Sequence, residues 1–304
     1  MLFNQTRQSA LWLSVIGLFM AFYSSHVSAL TIFACEAEYA SLAAEIAPNA
    51  DIFSATSTKQ DPHHVQARPS LIAQLRQADL AICAGAELEI GWFPLLQRKA
   101  NNPLVLDGAS GMLYAADVVE AIDKYDRLDR SMGDLHRAGN PHFQFSPQRV
   151  GIIAQAIRDK LMLIDPTQAE YYQSQWQQFD QRWRQATERW QQQATPLVGM
   201  KVVAYHSNFA YLFEWLGIDK VADLEPKPGL PPSSGHLSRL VAQLQGQPVE
   251  AIIYTDYQDA RGAQWLAKHT KVPLLLLPLA PQVAADDDLF RLYQRVLEQL
   301  LAVL

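Results

Sequence analysis

Residues 167–194, TQAEYYQSQWQQFDQRWRQATERWQQQA, run for 28 positions without a glycine or a proline. Tyr172, Trp176, Phe179, Trp183 and Trp190 recur in this stretch at spacings of three, four and seven, beside Tyr171, and Gln, Arg and Glu fill the positions between them. A segment with that spacing folds as one amphipathic helix, about 42 Å long at 1.5 Å per residue. Pro166 and Thr167 start it and Pro196 stops it. A row of Trp residues could hold a carbohydrate, but at helical spacing the simpler reading is packing against whatever lies on either side.

On either side lie short apolar runs alternating with helix-like segments. Before the long helix come LTIFAC (30–35), EYASLAAEIA, DIFSAT, PSLIAQLRQA and DLAICAGAELE (79–89). After it come MKVVAYH (200–206), VEAIIYTD (249–256), VPLLLLP (272–278) and a terminal helix. Strands that alternate with helices form parallel sheets with right-handed crossovers. The expected fold is therefore α/β, with two small doubly wound (β/α) lobes bridged by one long α-helix. The boundaries fall at 30–166 for the N-terminal lobe, 167–194 for the connecting helix and 195–304 for the C-terminal lobe. A helical connector, unlike a Gly/Ser linker, stiffens the relation between the lobes.

Residues 1–29 read as an address. Arg7 precedes an apolar run of 13 residues, Ala10 to Phe22, and Val27-Ser28-Ala29 offers small residues at a cleavage site. This is the pattern of a cleaved secretory signal with cleavage near Ala29, and the run is short of the roughly 20 residues a spanning helix needs. An uncleaved membrane anchor is the alternative. A lipoprotein reading of Cys35 fails, because bulky Phe33 stands where a small residue is preferred and the cysteine lies 13 residues past the apolar run. The formal charge of −6 becomes −7 when Arg7 leaves with the leader. An acidic chain without a Lys/Arg block has no electrostatic footprint for nucleic acid.

Two cysteines, Cys35 and Cys83, are too few for a disulfide framework. They end strands that would be neighbours in such a sheet. An exported protein could pair them, at about 4 kcal/mol in the chain-entropy model. Adjacent-strand bridges are geometrically awkward, so two buried free thiols stand as the equal alternative. Asp286-Asp287-Asp288 resembles a hard-cation patch, but acids directly before LFRLYQRVLEQLL favour a helix N-terminus.

Of eight histidines, His26 leaves with the leader, while His64, His136, His236 and His269 have surroundings that suit surface residues. His63, His142 and His206 differ, since each stands at a loop entrance after a strand or before a Pro-marked helix start. In open α/β sheets ligands bind outside the carboxyl ends of the strands, where His206 directly follows one. Neutral imidazole is a common zinc ligand, and three imidazoles plus a fourth donor make a tetrahedral site. Gaps of 79 and 64 residues are no short ligand motif, however, and hydrogen-bonded structural loop histidines are the plainer alternative from spacing alone.

Several blocks narrow the choice. Asp61-Pro62-His63 with Arg68-Pro69-Ser70, Ala78-Asp79-Leu80, Gly85 and Leu88-Glu89 forms the first. Gly139-Asn140-Pro141-His142 with Ser146-Pro147 forms the second, and Tyr205-His206 with Tyr211-Leu212 and Leu216-Gly217 the third. Leu224-Glu225-Pro226-Lys227-Pro228-Gly229 follows. In this order, across residue 30 to the C-terminus, they resemble the ZnuA-like class of solute-binding proteins, periplasmic metal receptors of ABC importers for zinc and manganese.

The resemblance implies two lobes bridged by a long helix, with His63, His142 and His206 as ligands of a metal in the cleft. It implies a receptor without enzymatic activity or an organic cofactor, which carries Zn²⁺ to an ABC permease in the inner membrane; the oligomeric state stays open, with a monomer as the default. Manganese or iron is the alternative cargo, and imidazole-rich ligation favours zinc. The fourth ligand is left between Asp256, which ends AIIYTD, and water, because LAPQVAADDD carries Pro281 near where the family often has an acidic ligand. The His-rich loop of many zinc receptors is missing or vestigial, since Asp107 to Asn140 holds only His136. The rival from another class is a secreted zinc hydrolase, which would need a general base beside metal-bound water. A metal-delivery chaperone or surface adhesin could use the same site.

Overall fold

The structure is a computed structural model that describes residues 29–126, 133, 135–282 and 287–304. Residues 1–28 of the expected leader and Asp286 lie outside the described residues. Two four-stranded parallel sheets form the two lobes. The first takes the order β2-β1-β3-β4, from β1 (Thr31–Ala34), β2 (Asp51–Ser54), β3 (Leu80–Cys83) and β4 (Met112–Tyr114). The second repeats it as β6-β5-β7-β8, from β5 (Lys201–Ala204), β6 (Asp219–Asp223), β7 (Ala251–Tyr254) and β8 (Leu274–Leu276). The central strands β1, β3, β5 and β7 are buried on both faces, which is why they read as continuous apolar runs.

In the first lobe α1 (Ala37–Ile46), α2 (Pro69–Gln77) and α3 (Phe93–Ala100) cover the sheet before α4 (Pro147–Ile164) leads to the connector. The connector α5 (Ala169–Gln193) is a continuous helix of 25 residues, about 37 Å long. A 3-10 turn at Pro166–Gln168 precedes it and another at Thr195–Leu197, holding Pro196, follows. Of the predicted stripe, Tyr172, Phe179, Trp183 and Trp190 are buried together with Ala186, while Tyr171 and Trp176 are half-buried. Trp183 Nε1 donates to the Pro147 carbonyl at 2.9 Å, and Trp190 stacks on Tyr293 at 4.7 Å between ring centroids.

The second lobe adds α6 (Ala210–Leu216), α7 (Ser234–Leu244) and α8 (Ala260–Thr270). The terminal helix α9 (Leu289–Leu301) returns to the first lobe. Leu289 N–H donates to Ser41 Oγ on α1, and Tyr293 Oη donates to the Gln144 carbonyl. Together α5 and α9 place one apolar core under both sheets, reaching from Ile32 and Leu80 to Val202, Ile253 and Leu300. Asp288 caps α9 through Arg291 N–H, and Asp287 pairs with Arg295 through both oxygens, so these acids serve the helix start as expected. Cys35 and Cys83 form a disulfide with Cα atoms 4.8 Å apart, one register step beyond the Ala34–Ile82 pair. No helix among the described residues is long and apolar enough to cross a membrane.

Candidate metal centre

Three loops at the carboxyl ends of the two sheets meet between the lobes. The first follows β2. Trp92 Nε1 donates to the Pro62 carbonyl at 3.0 Å and pins this loop, while Asp61 Oδ1 accepts from both the backbone N–H and Nδ1 of His63, the latter at 2.7 Å. A carboxylate only accepts, so the His63 proton sits on Nδ1 and Nε2 keeps its lone pair.

The second loop precedes α4. Gly139 has φ +108, and a Cβ there would lie 2.6 Å from both the Ala121 Cβ and the Ile122 carbonyl, so only glycine lets the chain pass. Asn140 follows, and its Oδ1 accepts from the His142 N–H at 3.0 Å. The His142 ring is buried. Burial, then the neighbouring histidines, holds its pKa well below the usual imidazole value, which keeps it neutral.

The third loop follows β5. His206 is buried, and its Nδ1 donates to Glu225 Oε2 at 2.7 Å, again leaving Nε2 free. The Glu225 oxygen also accepts from the Gly229 N–H, which fixes it within the LEPKPG segment. Asn208, just beyond, approaches His142 Nε2 at 3.5 Å and donates to Tyr257 Oη.

The rings of His63, His142 and His206 form a near-equilateral triangle with centroids 5.6, 5.7 and 6.0 Å apart. One nitrogen of each lies within 4.8 Å of the others. Tetrahedral zinc with bonds of about 2.0–2.1 Å sets its donors about 3.3 Å apart, so the rings need approach by at most about 1.5 Å. The three sequence-predicted residues are thus brought together, two from the first lobe and one from the second. Asp256 is not with them. It is exposed, and its neighbour Tyr257 turns inward instead.

A residue that spacing assigned to the surface does join the group. His136 stacks on His63 with ring centroids 5.2 Å apart, and the two Nε2 atoms lie 3.1 Å from one another. Burial and its histidine neighbours push the His136 pKa down to about 3. Its position in an otherwise His-free segment is the one signal available in the sequence. Of the other surface histidines, His64 and His269 are exposed, and His236 binds the Asp223 carbonyl. Beside the triad a cavity of about 350 Å³ opens to solvent, lined by His136, His206, Asp123, Asp223 and Glu225 among others.

Two parallel-sheet lobes joined by a rigid helix, with a buried imidazole cluster in their cleft, are the architecture of a solute-binding receptor for a metal ion. The profile of the ZnuA family, described as zinc-uptake complex component A, periplasmic, matches residues 32–303, and the chain belongs to this family of periplasmic metal-binding receptors. The high-affinity zinc uptake system protein ZnuA of Yersinia pestis is 23% identical over 240 residues, which span 75% of this chain and 76% of that protein. Among solved structures, a mutant of the laminin-binding adhesin of Streptococcus agalactiae superposes with a TM-score of 0.75 at 20% identity, covering 90% of this chain and 99% of the other. A Mn-bound mutant of a periplasmic metal binding protein from Candidatus Liberibacter asiaticus gives 0.72 at 16% identity, covering 90% and 100%. At these identities the two structures speak for the shared fold.

Proposed function

We propose that this protein captures Zn²⁺ in the periplasm through His63, His142 and His206 and delivers it to an ABC importer in the inner membrane. The observation that carries this reading is the set of three imidazole nitrogens within 4.8 Å of one another, drawn from both lobes. Asp61 and Glu225 hold Nδ1 of His63 and His206, which fixes the tautomer and aims Nε2 at the centre. Burial keeps His142 neutral and ready to bind. A cation seated here ties the lobes together, while α5 and α9 restrict their movement to a small tilt.

Imidazole donors suit zinc better than manganese, which prefers oxygen. The zinc-uptake description of the family and the name of the Yersinia relative point the same way. Hydrolysis finds less support, because Asp61 and Glu225 are both committed to ligand rings and neither is free as a general base.

The test is calorimetric titration of Zn²⁺ and Mn²⁺ into chelator-stripped protein, beside a His206→Ala variant. One tight zinc site, weakened or lost in the variant, supports the receptor. Absence of a tight site for either ion overturns it, and preference for Mn²⁺ moves the cargo to the alternative.

A further inference from the structure

We infer that His136 is the fourth protein ligand, closing the site as a tetrahedron of four imidazoles. The inference rests on the receptor reading and extends it to the position that Asp256 does not fill.

With their protons on Nδ1, both facing rings present a lone pair to a cation. His63 gives its Nδ1 proton to Asp61. The two Nε2 atoms meet at 3.1 Å. A proton bridges two imidazole nitrogens at that distance in the metal-free protein, and a cation that replaces it is bound by both. The separation is close to the roughly 3.3 Å edge of a tetrahedral zinc site with nitrogen donors.

The competing donors are otherwise engaged. Among the described residues, Asp61 and Glu225 serve the ligand rings, Tyr257 Oη accepts from Asn208, and Asp256 is exposed. His136 stands beside His63 at the wall of the 350 Å³ cavity, which His206 also lines. It lies outside the mutually 4.8 Å set. An inward advance of its loop, which is tied to Glu87 through the Arg137 N–H, completes the tetrahedron.

The consequence is a closed site without an exchangeable water. Closed four-donor sites hold zinc, whereas catalytic sites keep one position open. Four imidazoles also move selectivity further from oxygen-seeking manganese.

X-ray absorption of the zinc-loaded wild-type protein counts the imidazoles directly, and the Co²⁺-substituted protein reports exchangeable positions through its visible spectrum. The expected result is four imidazoles in the wild type, and three plus an oxygen donor in His136→Ala, with a Co²⁺ spectrum in the variant that responds to added azide. Zinc affinity in the variant should fall by more than the 10–100-fold typical of losing an outer partner of a ligand. Matching apo melting temperatures establish that the variant is folded, and the wild-type imidazole count stands independently of it. Three imidazoles plus oxygen in the wild type overturns the inference. So does unchanged affinity in His136→Ala while His206→Ala abolishes binding, and the receptor reading then survives. No zinc binding by the wild type overturns both.

Discussion

The Asn140 side chain donates to the Ser207 carbonyl at 3.0 Å, across the joint between the lobes. Its oxygen accepts from the His142 N–H, and its own carbonyl accepts from Tyr211 Oη at 2.6 Å. One buried amide therefore positions His142 of the first lobe and the residue after His206 of the second. Replacing it with alanine leaves a donor and an acceptor without partners, each costing about 1–3 kcal/mol. Asn140→Ala should lower the apo melting temperature by several degrees, at about 2–4 °C per kcal/mol. It should also weaken zinc about 10–100-fold, as expected when a group orienting ligands is lost. Calorimetry and thermal melts check both, and unchanged affinity would show that the lobes hold their registry without it.

Glu225 acts on one ligand alone. Its hydrogen bond to His206 Nδ1 fixes the tautomer that frees Nε2. In Glu225→Ala the ring can rotate or shift its proton, and zinc affinity should fall about 10–100-fold. Asp61→Ala should do the same through His63. The pair combined with His206→Ala gives a distinct pattern, because Asp61→Ala should add to the loss while Glu225→Ala should add nothing once the ring it orients is gone. Additive losses for Glu225 in that cycle would mean that it works through something other than His206.

The larger architecture is legible in the sequence because buried strands and a 28-residue amphipathic stretch are long, continuous signals. The edge strands β4 and β6 are not. Met112–Tyr114 spans three residues, and β6 begins with exposed Asp219 and Lys220, so neither shows an apolar run. The return of α9 onto α1 depends on a contact 248 residues apart, Leu289 to Ser41, which no local pattern encodes. The triad emerges from its loop entrances and surrounding blocks. His136 escapes such a reading because its loop has no periodicity and its partner, His63, lies 73 residues away. The cysteine pairing stays open in the sequence between bridge and free thiols, since strand adjacency alone does not fix side-chain geometry.

The Cys35–Cys83 disulfide closes a sequence separation of 48 residues across the ends of β1 and β3. Constraint of the unfolded chain over such a loop corresponds to about 4 kcal/mol. A Cys35→Ala/Cys83→Ala double variant should therefore melt about 8–16 °C lower. The histidine loops are anchored elsewhere, by Trp92, Asn140 and Glu225, so zinc affinity at 25 °C should stay within about threefold of wild type, well inside the effect of losing a ligand partner. A large loss of zinc binding in folded double variant would place the bridge in the site's support.

Beside that bridge three carboxyls are buried, and no ion pair among the described residues includes them. Glu36 is 2% exposed, Glu89 3% and Glu38 7%. Ala84 N–H donates to both Glu36 and Glu89. Burial raises the Glu38 pKa to about 8 and the Glu89 pKa to about 7, and burial together with the Glu89 and Glu38 charges lifts Glu36 well above its ordinary value. The folded protein thus keeps protons that the unfolded chain releases near pH 4.5. Stability must fall as pH rises through the interval between those values, by up to about 1.4 kcal/mol per pH unit for each proton retained. His142 acts in the opposite direction but only below about pH 6.5, where the unfolded chain gains a proton that the buried ring refuses. Between pH 6.5 and 8 the carboxyls act without it. Metal-free protein should melt lower at pH 8 than at pH 6.5, and Glu38→Gln, which cannot ionise, should reduce that difference and raise the melting temperature at pH 8. A melting temperature that climbs across this interval, or a slope untouched by Glu38→Gln, would mean that the carboxyls find a counter-charge or water on ionising.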